Sequence, residues 1–484
     1  MRNFHLVFVT LFWGCSSLFA QNKQLLYDFT EIPQALMLNP GMQTTYKWYA
    51  GIPALSGFSF QAGTSGITIH DIFADDGVDI NDKIRARAVY GMGINDELSG
   101  TYQIELLSGG FRGKNQPTNF YSFGIYHEGD AIGYWPKDLA ILAYEGNADQ
   151  LGREFDLSHL KTRGEILNVF HFGVNRQINK NLTLGARAKI YSGIVDFNST
   201  SNDGYFLTTP GQRNLLANTL EADMRLRTSG INEIREVLDD DTVDDGAGIG
   251  RIVTKRGFFG GDLGLGIDVG FSYHFNEQTV ITGSLLDVGF LYHSGDVRSF
   301  TLKGSATVEG VEIILPDALA DPNADFWQDL VDEIEALVPF EENNNAYITF
   351  RPTKLYTSVR YNFGKPLQSK EDCNCNYKPS ARRSSSIQYA NSVGGQLYAI
   401  NRPRGPQTAL SAFYQRRFGN VLALKSTYTI DKFSLTNIGL GISFQAGPVN
   451  FYAMADNLLS YKNIADSHYA SFQLGLNIIS WGKN

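Results

Sequence analysis

The sequence is 484 residues long, 43% apolar and 19% charged, with a formal net charge of −9. That length suits one large all-β unit as well as two or three ordinary domains. The acidic balance argues against a nucleic-acid partner, which needs a concentrated basic surface. The 32 Phe, 24 Tyr and 49 Gly beside only 15 Pro suit many long strands joined by turns.

The chain opens with a basic start, Met1-Arg2-Asn3, an apolar run over residues 6–13, and Ser17-Leu18-Phe19-Ala20 ahead of Gln21-Asn22. This pattern predicts an export signal over residues 1–20, because the run is too short to span a bilayer as a helix. Cys15 raises a lipoprotein reading, but Phe12-Trp13-Gly14 is a poor lipobox. Residues 21–44 are too few for a domain, so they either enter a lumen as a plug or lie beneath it. No later stretch approaches the roughly 20 apolar residues of a membrane helix, so a membrane would have to be crossed by a closed barrel.

Strict alternation carries the barrel reading. Leu263, Leu265, Ile267, Val269, Phe271, Tyr273 and Phe275 fall on one face, while Asp262, Gly264, Gly266, Asp268, Gly270, Ser272 and His274 fall on the other. Ile438, Leu440, Ile442 and Phe444 repeat the pattern, as do Phe472, Leu474, Leu476 and Ile478. Such runs reach the roughly 10 residues a tilted strand needs to cross a bilayer. The fold class is therefore all-β, a transmembrane antiparallel β-barrel of about 14 strands occupying residues 45–484. Strand starts fall near Thr45, Thr101, Asn119, Thr162, Asn181, Asp262, Gln278, Phe350, Ser386, Thr408, Val421, Ser434, Val449 and Ser467.

Connection lengths agree with that parity. Gly113-Lys114-Asn115, Ile178-Asn179-Lys180, Asn276-Glu277, Phe418-Gly419-Asn420 and Ala446-Gly447-Pro448 become short periplasmic turns. The exception is residues 364–385, which carry Cys373 and Cys375: exposed thiols or a local disulfide on one reading, a redox pair or metal site on the other. Residues 62–100, 128–161, 198–261 and 294–349 become long extracellular loops. Among them, 324–337 spaces Phe326, Leu330, Ile334 and Leu337 as an acidic amphipathic helix, and 215–238 suggests one or two more helices.

Candidate chemistry is sparse. Arg187, Lys189, Asp268 and Asp287 all take the inward parity of neighbouring strands near mid-height, as either a salt-bridged stiffener or a binding site for a polar solute. Asp456 and Asn457, at the end of the thirteenth strand, suit a turn or a ligand contact. The acidic run from 239 to 245 offers oxygens for Ca²⁺ but lacks EF-hand spacing, so a solvated loop competes, and no metal site is assigned. Thr242, in Asp241-Thr242-Val243, fits a short O-glycosylation sequon. Of eight His, His171 and His274 take the lumen parity. No Gly-x-Ser-x-Gly, paired zinc histidines or phosphate loop accompanies them, so neither an enzyme nor a cofactor is expected.

In order, Asn39-Pro40-Gly41, Tyr49-Ala50-Gly51-Ile52-Pro53, Pro136-Lys137-Asp138-Leu139, Leu184-Gly185-Ala186-Arg187, Leu286-Asp287-Val288-Gly289, Ala455-Asp456-Asn457-Leu458 and Leu474-Gly475-Leu476-Asn477 make a recognisable set. With them the chain resembles a Bacteroidota family of outer-membrane barrels related to the PorP/SprF-type proteins of type IX secretion and gliding. More distantly it is similar to PorV and the long-chain fatty-acid transporter FadL. The resemblance spans nearly the whole mature chain and implies about fourteen strands, with no substrate attached. Gly41 departs from the Asn-Pro-Ala favoured there. The end, Leu476-Asn477-Ile478-Ile479-Ser480-Trp481, looks like a barrel-assembly signal.

The expected place is the outer membrane with both termini periplasmic, in contact with membrane lipid and other outer-membrane or periplasmic proteins. The expected role is a structural subunit of an assembly in secretion, barrel assembly or gliding. The alternative is a FadL-like passive transporter of a hydrophobic or small solute, which requires an apolar pocket and a gap or kink in the wall.

Overall fold

The computed structural model describes residues 23–212, 216–240, 244–309, 340–366 and 388–480. The export signal, Thr242, the helix expected over 324–337, Cys373 and Cys375 lie outside them. No helix among the described residues is long and apolar enough to cross a membrane.

In chain order the strands are β1 (Trp48–Gly51), β2 (Phe58–Thr64), β3 (Glu97–Arg112), β4 (Asn119–Tyr134), β5 (Glu154–Asp156), β6 (Thr162–Gln177), β7 (Leu182–Pro210), β8 (Leu216–Ser229), β9 (Asp262–His274) and β10 (Thr279–His293). Then come β11 (Val297–Glu309), β12 (Phe340–Asn343), β13 (Tyr347–Phe350), β14 (Lys354–Pro366), β15 (Tyr389–Arg402), β16 (Gly405–Phe418), β17 (Leu422–Ile430), β18 (Asn437–Ala446), β19 (Val449–Asp456) and β20 (Tyr469–Ser480). β1 with β2, and β13 with β14, are single staves interrupted part-way. With β5, β8, β11 and β12 set outside the ring, a closed 14-strand antiparallel barrel results. It closes where β20 pairs with both β1 and β2, matching Tyr49 to Ile479 and Phe60 to Phe472.

The faces of the wall are inverted relative to a water-soluble protein. On β9, Leu265 is 58% exposed and Ile267 48%, while Asp262 and Asp268 between and beside them are buried. Leu440, Phe444, Phe472 and Leu474 likewise point outward. Apolar side chains outside and polar ones inside are stable only when hydrocarbon surrounds the wall, and closure leaves no unpaired strand edge in it.

The short turns follow from local chemistry. Asn276 Oδ1 accepts from the N–H groups of Gln278 (2.9 Å) and Thr279 (2.7 Å), and Asn179 Oδ1 does the same for Asn181 and Leu182, both at 2.8 Å.

The other end departs from the sequence expectation. Residues 198–261 are not an irregular loop: β7 is 29 residues long and pairs with β5 and β8, β8 pairs with β11 and β11 with β12, so a five-stranded sheet projects beyond the wall. Most of the stretch read as helical over 215–238 is β8, leaving only the helix Ile231–Leu238. Backbone partners on both flanks outweigh its helical spacing, and cross-strand pairs such as Lys303–Asp223 (2.5 Å) reinforce the sheet. A helix over Asp245–Lys255 follows, with Asp244 accepting from Ala247 N–H (2.8 Å) as its N-cap.

Candidate functional site

The segment from Lys23 to Tyr46 is largely buried against inward-facing residues of the wall. Ile32 leads into a 3-10 turn, Pro33–Met37, with proline at its start, where the missing N–H costs nothing. Leu25, Tyr27, Phe29, Leu36 and Tyr46 are buried, and Tyr27 stacks on Tyr356 with ring centroids 4.9 Å apart. Polar anchors fix the backbone: Lys425 Nζ donates to the Tyr27 carbonyl (2.5 Å), Gln396 to the same oxygen (3.0 Å), and Arg360 pairs with Asp28 (2.8 Å). Glu31 is buried, which raises its carboxyl, but the Arg417 guanidinium outweighs burial and holds it below the usual range.

Asn39-Pro40-Gly41 is the tightest contact between plug and wall. Asn175 Nδ2 donates to the carbonyls of Pro40 (2.8 Å) and Met42 (2.6 Å), and Asn39 Nδ2 to that of Phe271 (3.1 Å). Gly185 and Gly270 face each other across β7 and β9. A Cβ on Gly185 would stand 2.0 Å from the Pro40 carbonyl oxygen, and one on Gly41 would stand 2.3 Å from that of Gly270. Three glycines thus let backbone lie on backbone, and a Cβ at position 41 has no room.

On the other side of the plug the wall carries an ion-pair belt. All four residues picked from the sequence meet there: Arg187 and Lys189 reach Asp268 (3.3 and 2.9 Å), and Lys189 also reaches Asp287 (2.5 Å). Asp287 sits in a bulge of β10 at φ 58° and donates its N–H to Asp268 Oδ1 (2.7 Å). Arg187 also donates to the plug carbonyls of Leu36 and Met37. The belt is larger than its sequence signature. Lys354 pairs with Asp287 (2.8 Å), Arg351 with Glu128 and Glu165, and Arg402 with Asp130 (2.5 Å). Arg351 and Lys354 escaped the parity count because they flank the break between β13 and β14. Glu128 and Asp130 were legible in principle, since they alternate inward near the end of β4, a stretch assigned to a loop.

Between plug and belt lies a cavity of about 50 Å³, lined by Lys23, Tyr102, Glu128, Lys189, Asp287 and Lys354 among others. Lys23 donates to Gln103 Oε1. Burial pulls its amine down to about 8, with Glu128 opposing the shift. Charged side chains share the lining with Met37, Leu38, Leu286 and Tyr356, so it is not the wholly apolar pocket that suits a hydrophobic solute. The wall interruption that transport also requires is present at residues 52–57, beside a bulge in β3 after Glu105. It is bonded shut: Ile52 N–H donates to Leu476 O (3.2 Å), Leu476 N–H to Leu55 O (2.8 Å) and Ala54 N–H to Glu105 O (2.9 Å). Ser56 Oγ and Gln34 Nε2 hold the Glu105 carboxylate behind it (2.9 and 3.1 Å).

One arrangement had no sequence signal. Asp262 Oδ2 meets His293 Nδ1 (2.9 Å), and His293 Nε2 meets Thr349 Oγ1 (2.7 Å), an acid–imidazole–hydroxyl line. Ser229 and Arg256 also bind Asp262 Oδ2 (2.5 and 3.2 Å). All three aligned residues are buried, and the cavity does not reach them. A nucleophile needs a substrate beside it, so this line is a strut joining β9, β10 and β13.

The remaining sequence candidates are placed as follows. Asn457, at φ 54°, turns the chain after β19 and donates to Ser467 Oγ and Tyr469 O, both at 2.9 Å. Asp456 accepts from Ser471 Oγ (2.6 Å). His171 is buried, and His274 meets Gln43 of the plug (2.9 Å). Asp239 pairs with Arg235 (3.4 Å) and Asp244 caps a helix, so these members of the acidic run serve local structure. Among the described residues no group of three or more His, Cys, Asp or Glu is placed to hold a metal.

Fold and lumen together define a plugged β-barrel of the outer-membrane type. The chain belongs to DUF5723, a family of unknown function whose family model matches residues 40–456. No curated protein matches it. Among solved structures it is similar to a mutant of TodX, a monoaromatic hydrocarbon channel of P. putida, at 10% identity and a TM-score of 0.40, covering 93% of this chain and 94% of that one. A Pseudomonas aeruginosa FadL homologue follows at 9% identity and 0.39, covering 96% and 99%. The Ralstonia pickettii toluene transporter TbuX stands at 9% and 0.38, covering 93% of each chain.

Proposed function

We infer that this protein is a passive outer-membrane channel for a small polar solute, held closed by its own N-terminal segment. The observation that supports it is the charged cavity between plug and belt, where opposed carboxylates and ammonium groups face a space not filled by protein. The reading rests on the lumen, because likeness of outline between barrels transfers no substrate. The solute class follows from the lining: a buried belt of Glu128, Lys189, Asp287 and Lys354 favours small polar or zwitterionic solutes over apolar ones. Residues 1–20 act as the export signal, both termini face the periplasm, and the projecting sheet faces outward, in keeping with short turns at one end and long connections at the other.

Purified protein in liposomes tests this. Wild type is expected to pass small amino acids slowly, and Asn175→Ala with Arg187→Ala, which removes anchors of Pro40, Met42, Leu36 and Met37, is expected to pass them at least tenfold faster. Equal, background-level flux in both, with the barrel intact by heat-modified gel mobility, would sink the reading.

A second reading is favoured by one specific feature, the sheet of β5, β7, β8, β11 and β12 standing clear of the wall. It suits a docking platform in a PorP/SprF-like secretion or gliding assembly. Stoichiometric outer-membrane partners after mild detergent extraction, combined with absent flux, are the outcome that selects it.

A further inference from the structure

The rim of the barrel at its short-turn end carries charge that the neighbouring chain does not balance. Residues 32–70, 106–127 and 166–195 contain no Asp or Glu. These stretches form the short-turn halves of five successive staves, those of β1, β3, β4, β6 and β7, with the turns that join β3 to β4 and β6 to β7. They place Lys47, Arg112, Lys114, Arg176 and Lys180 at that end. Backbone bonds and register make these positions neighbours. Arg112 N–H donates to Lys47 O (2.7 Å), Gln177 N–H donates to Thr118 O (3.0 Å), and Arg176 is paired with Asn119 on one side and Leu184 on the other. With strands about 4.8 Å apart, the arc from β1 to β7 is about 20 Å long.

Arg112 is half-buried, and its guanidinium hydrogen-bonds only neutral oxygens: Pro117 O (3.0 Å), Thr44 O (2.6 Å) and Thr44 Oγ1 (2.8 Å). The other four are exposed, and among the described residues Lys114, Arg176 and Lys180 have no carboxylate beside them. Glu277, in the next turn, ends the arc, and Lys365 and Arg416 stand singly beyond it. Exposed cations at the long-connection end are matched instead: Arg85 pairs with Glu145 (2.7 Å), Lys255 with Glu233 (3.5 Å) and Lys303 with Asp223 (2.5 Å). A row of outward aromatic rings runs beside the arc. Trp48, Phe111 and Phe172 are 42%, 48% and 51% exposed. Trp48 is in register with Phe111 and Phe111 with Tyr121, whose ring centroid lies 5.6 Å from that of Phe111 and 6.2 Å from that of Phe172. Such rings settle where hydrocarbon meets headgroups, so cations placed nearer the turns stand at the level of lipid phosphates.

We propose that this arc, Lys47, Arg112, Lys114, Arg176 and Lys180 beside the ring row, binds anionic phospholipid headgroups of the leaflet at the short-turn end. Ammonium and guanidinium groups donate charge-assisted hydrogen bonds to phosphate oxygens. A cluster of them at a membrane border selects anionic over zwitterionic lipid, because the cationic headgroup of a zwitterionic lipid cancels its own phosphate. The acid-free stretches leave the arc no competing partner in the chain around it, and the aromatic row holds it at the right depth. The inference requires the wall to lie in a bilayer and is independent of whether the lumen conducts.

The test uses the full mature protein in vesicles of phosphatidylcholine and phosphatidylglycerol at about 4:1, re-extracted in mild neutral detergent, with the retained lipids measured by mass spectrometry. Wild type is expected to retain phosphatidylglycerol over phosphatidylcholine at least fivefold above the bulk ratio. Lys114→Gln with Arg176→Gln and Lys180→Gln should return the ratio to bulk, while Lys114→Arg with Arg176→Lys and Lys180→Arg should keep the enrichment. Arg85→Gln with Lys255→Gln and Lys303→Gln, at the other end, should leave it unchanged. Should the triple glutamine variant lose compact gel mobility, Lys114→Gln alone, in an exposed turn, still decides, with an expected drop of about twofold. Inorganic phosphate at about 10 mM and constant ionic strength should not displace the lipid. The proposal is overturned if wild type retains the two lipids at the bulk ratio, or if the glutamine variants match wild type. It is equally overturned if the far-end variant loses as much enrichment, or if inorganic phosphate abolishes it, which would make the arc a site for the free ion.

Discussion

The two sides of the lumen solve the same problem differently. Toward β14–β20 and β1 the plug is packed like a protein core, with Leu25, Tyr27, Phe29 and Leu36 against Tyr356, Tyr398, Tyr452 and Met454. Toward β4–β10 it meets the belt of Arg187, Lys189, Asp268, Asp287 and Arg351, and offers backbone carbonyls, Met37 and the side chains of Asn39 and Gln43 in return. The packed side gains from apolar burial, which is insensitive to register at the scale of a hydrogen bond. The charged side depends on complete pairing, since a buried charge deprived of its partner costs more than the pair gains. Adhesion thus comes mainly from the packed side, and specific position from the polar anchors on both sides, Arg360 and Lys425 on one and Arg187 and Asn175 on the other.

Breaking the charged side should have the largest effect. Asp268→Leu leaves Arg187 without its carboxylate and Lys189 with Asp287 alone, and is expected to cost about 3–5 kcal/mol. It should appear as a lower temperature for loss of compact gel mobility; unchanged mobility would show that the belt is dispensable. On the packed side, Phe29→Ala should cost about 3 kcal/mol, through lost burial and the cavity left behind, without changing the charge environment of the cavity. Gly41→Ala tests the seam between the sides. Its Cβ would fall 2.3 Å from the Gly270 carbonyl oxygen, so about 1–3 kcal/mol of strain is expected, read as greater protease access to the plug. Protection equal to wild type would mean that the backbones are not in contact.

The smallest effect concerns Lys23, whose amine falls from 10.5 to about 8 on burial. The folded form holds fewer protons than the unfolded one between those values. Its destabilising charge is therefore fully present below pH 8 and is relieved as pH rises toward 10.5, so this group adds stability in that window. Melting of wild type minus that of Lys23→Met should drift upward from pH 8 to 10; a flat difference would place the amine in water.

The comparison also shows how far reading along the chain can go. The inward parity of Arg187, Lys189, Asp268 and Asp287 was legible because β7, β9 and β10 alternate without interruption up to the bulge at Asp287. Arg351 and Lys354 were not, because the break at 351–353 resets the period. The line Asp262–His293–Thr349 draws on β9, β10 and β13, whose register no local pattern specifies. β8 was misread as helix because its apolar spacing fits both periods and its partners, β7 and β11, are distant in sequence.

By itself, then, the sequence determined a barrel: alternation dictates a two-faced strand, and the lengths of strands and turns dictate parity and number. It also determined short asparagine turns, which are made within a few residues. Only the tertiary structure decided that residues 23–46 lie inside and that the glycines at 41, 185 and 270 meet. Those outcomes depend on which distant staves face one another across a closed lumen, and closure is a property of the whole ring that no single strand encodes.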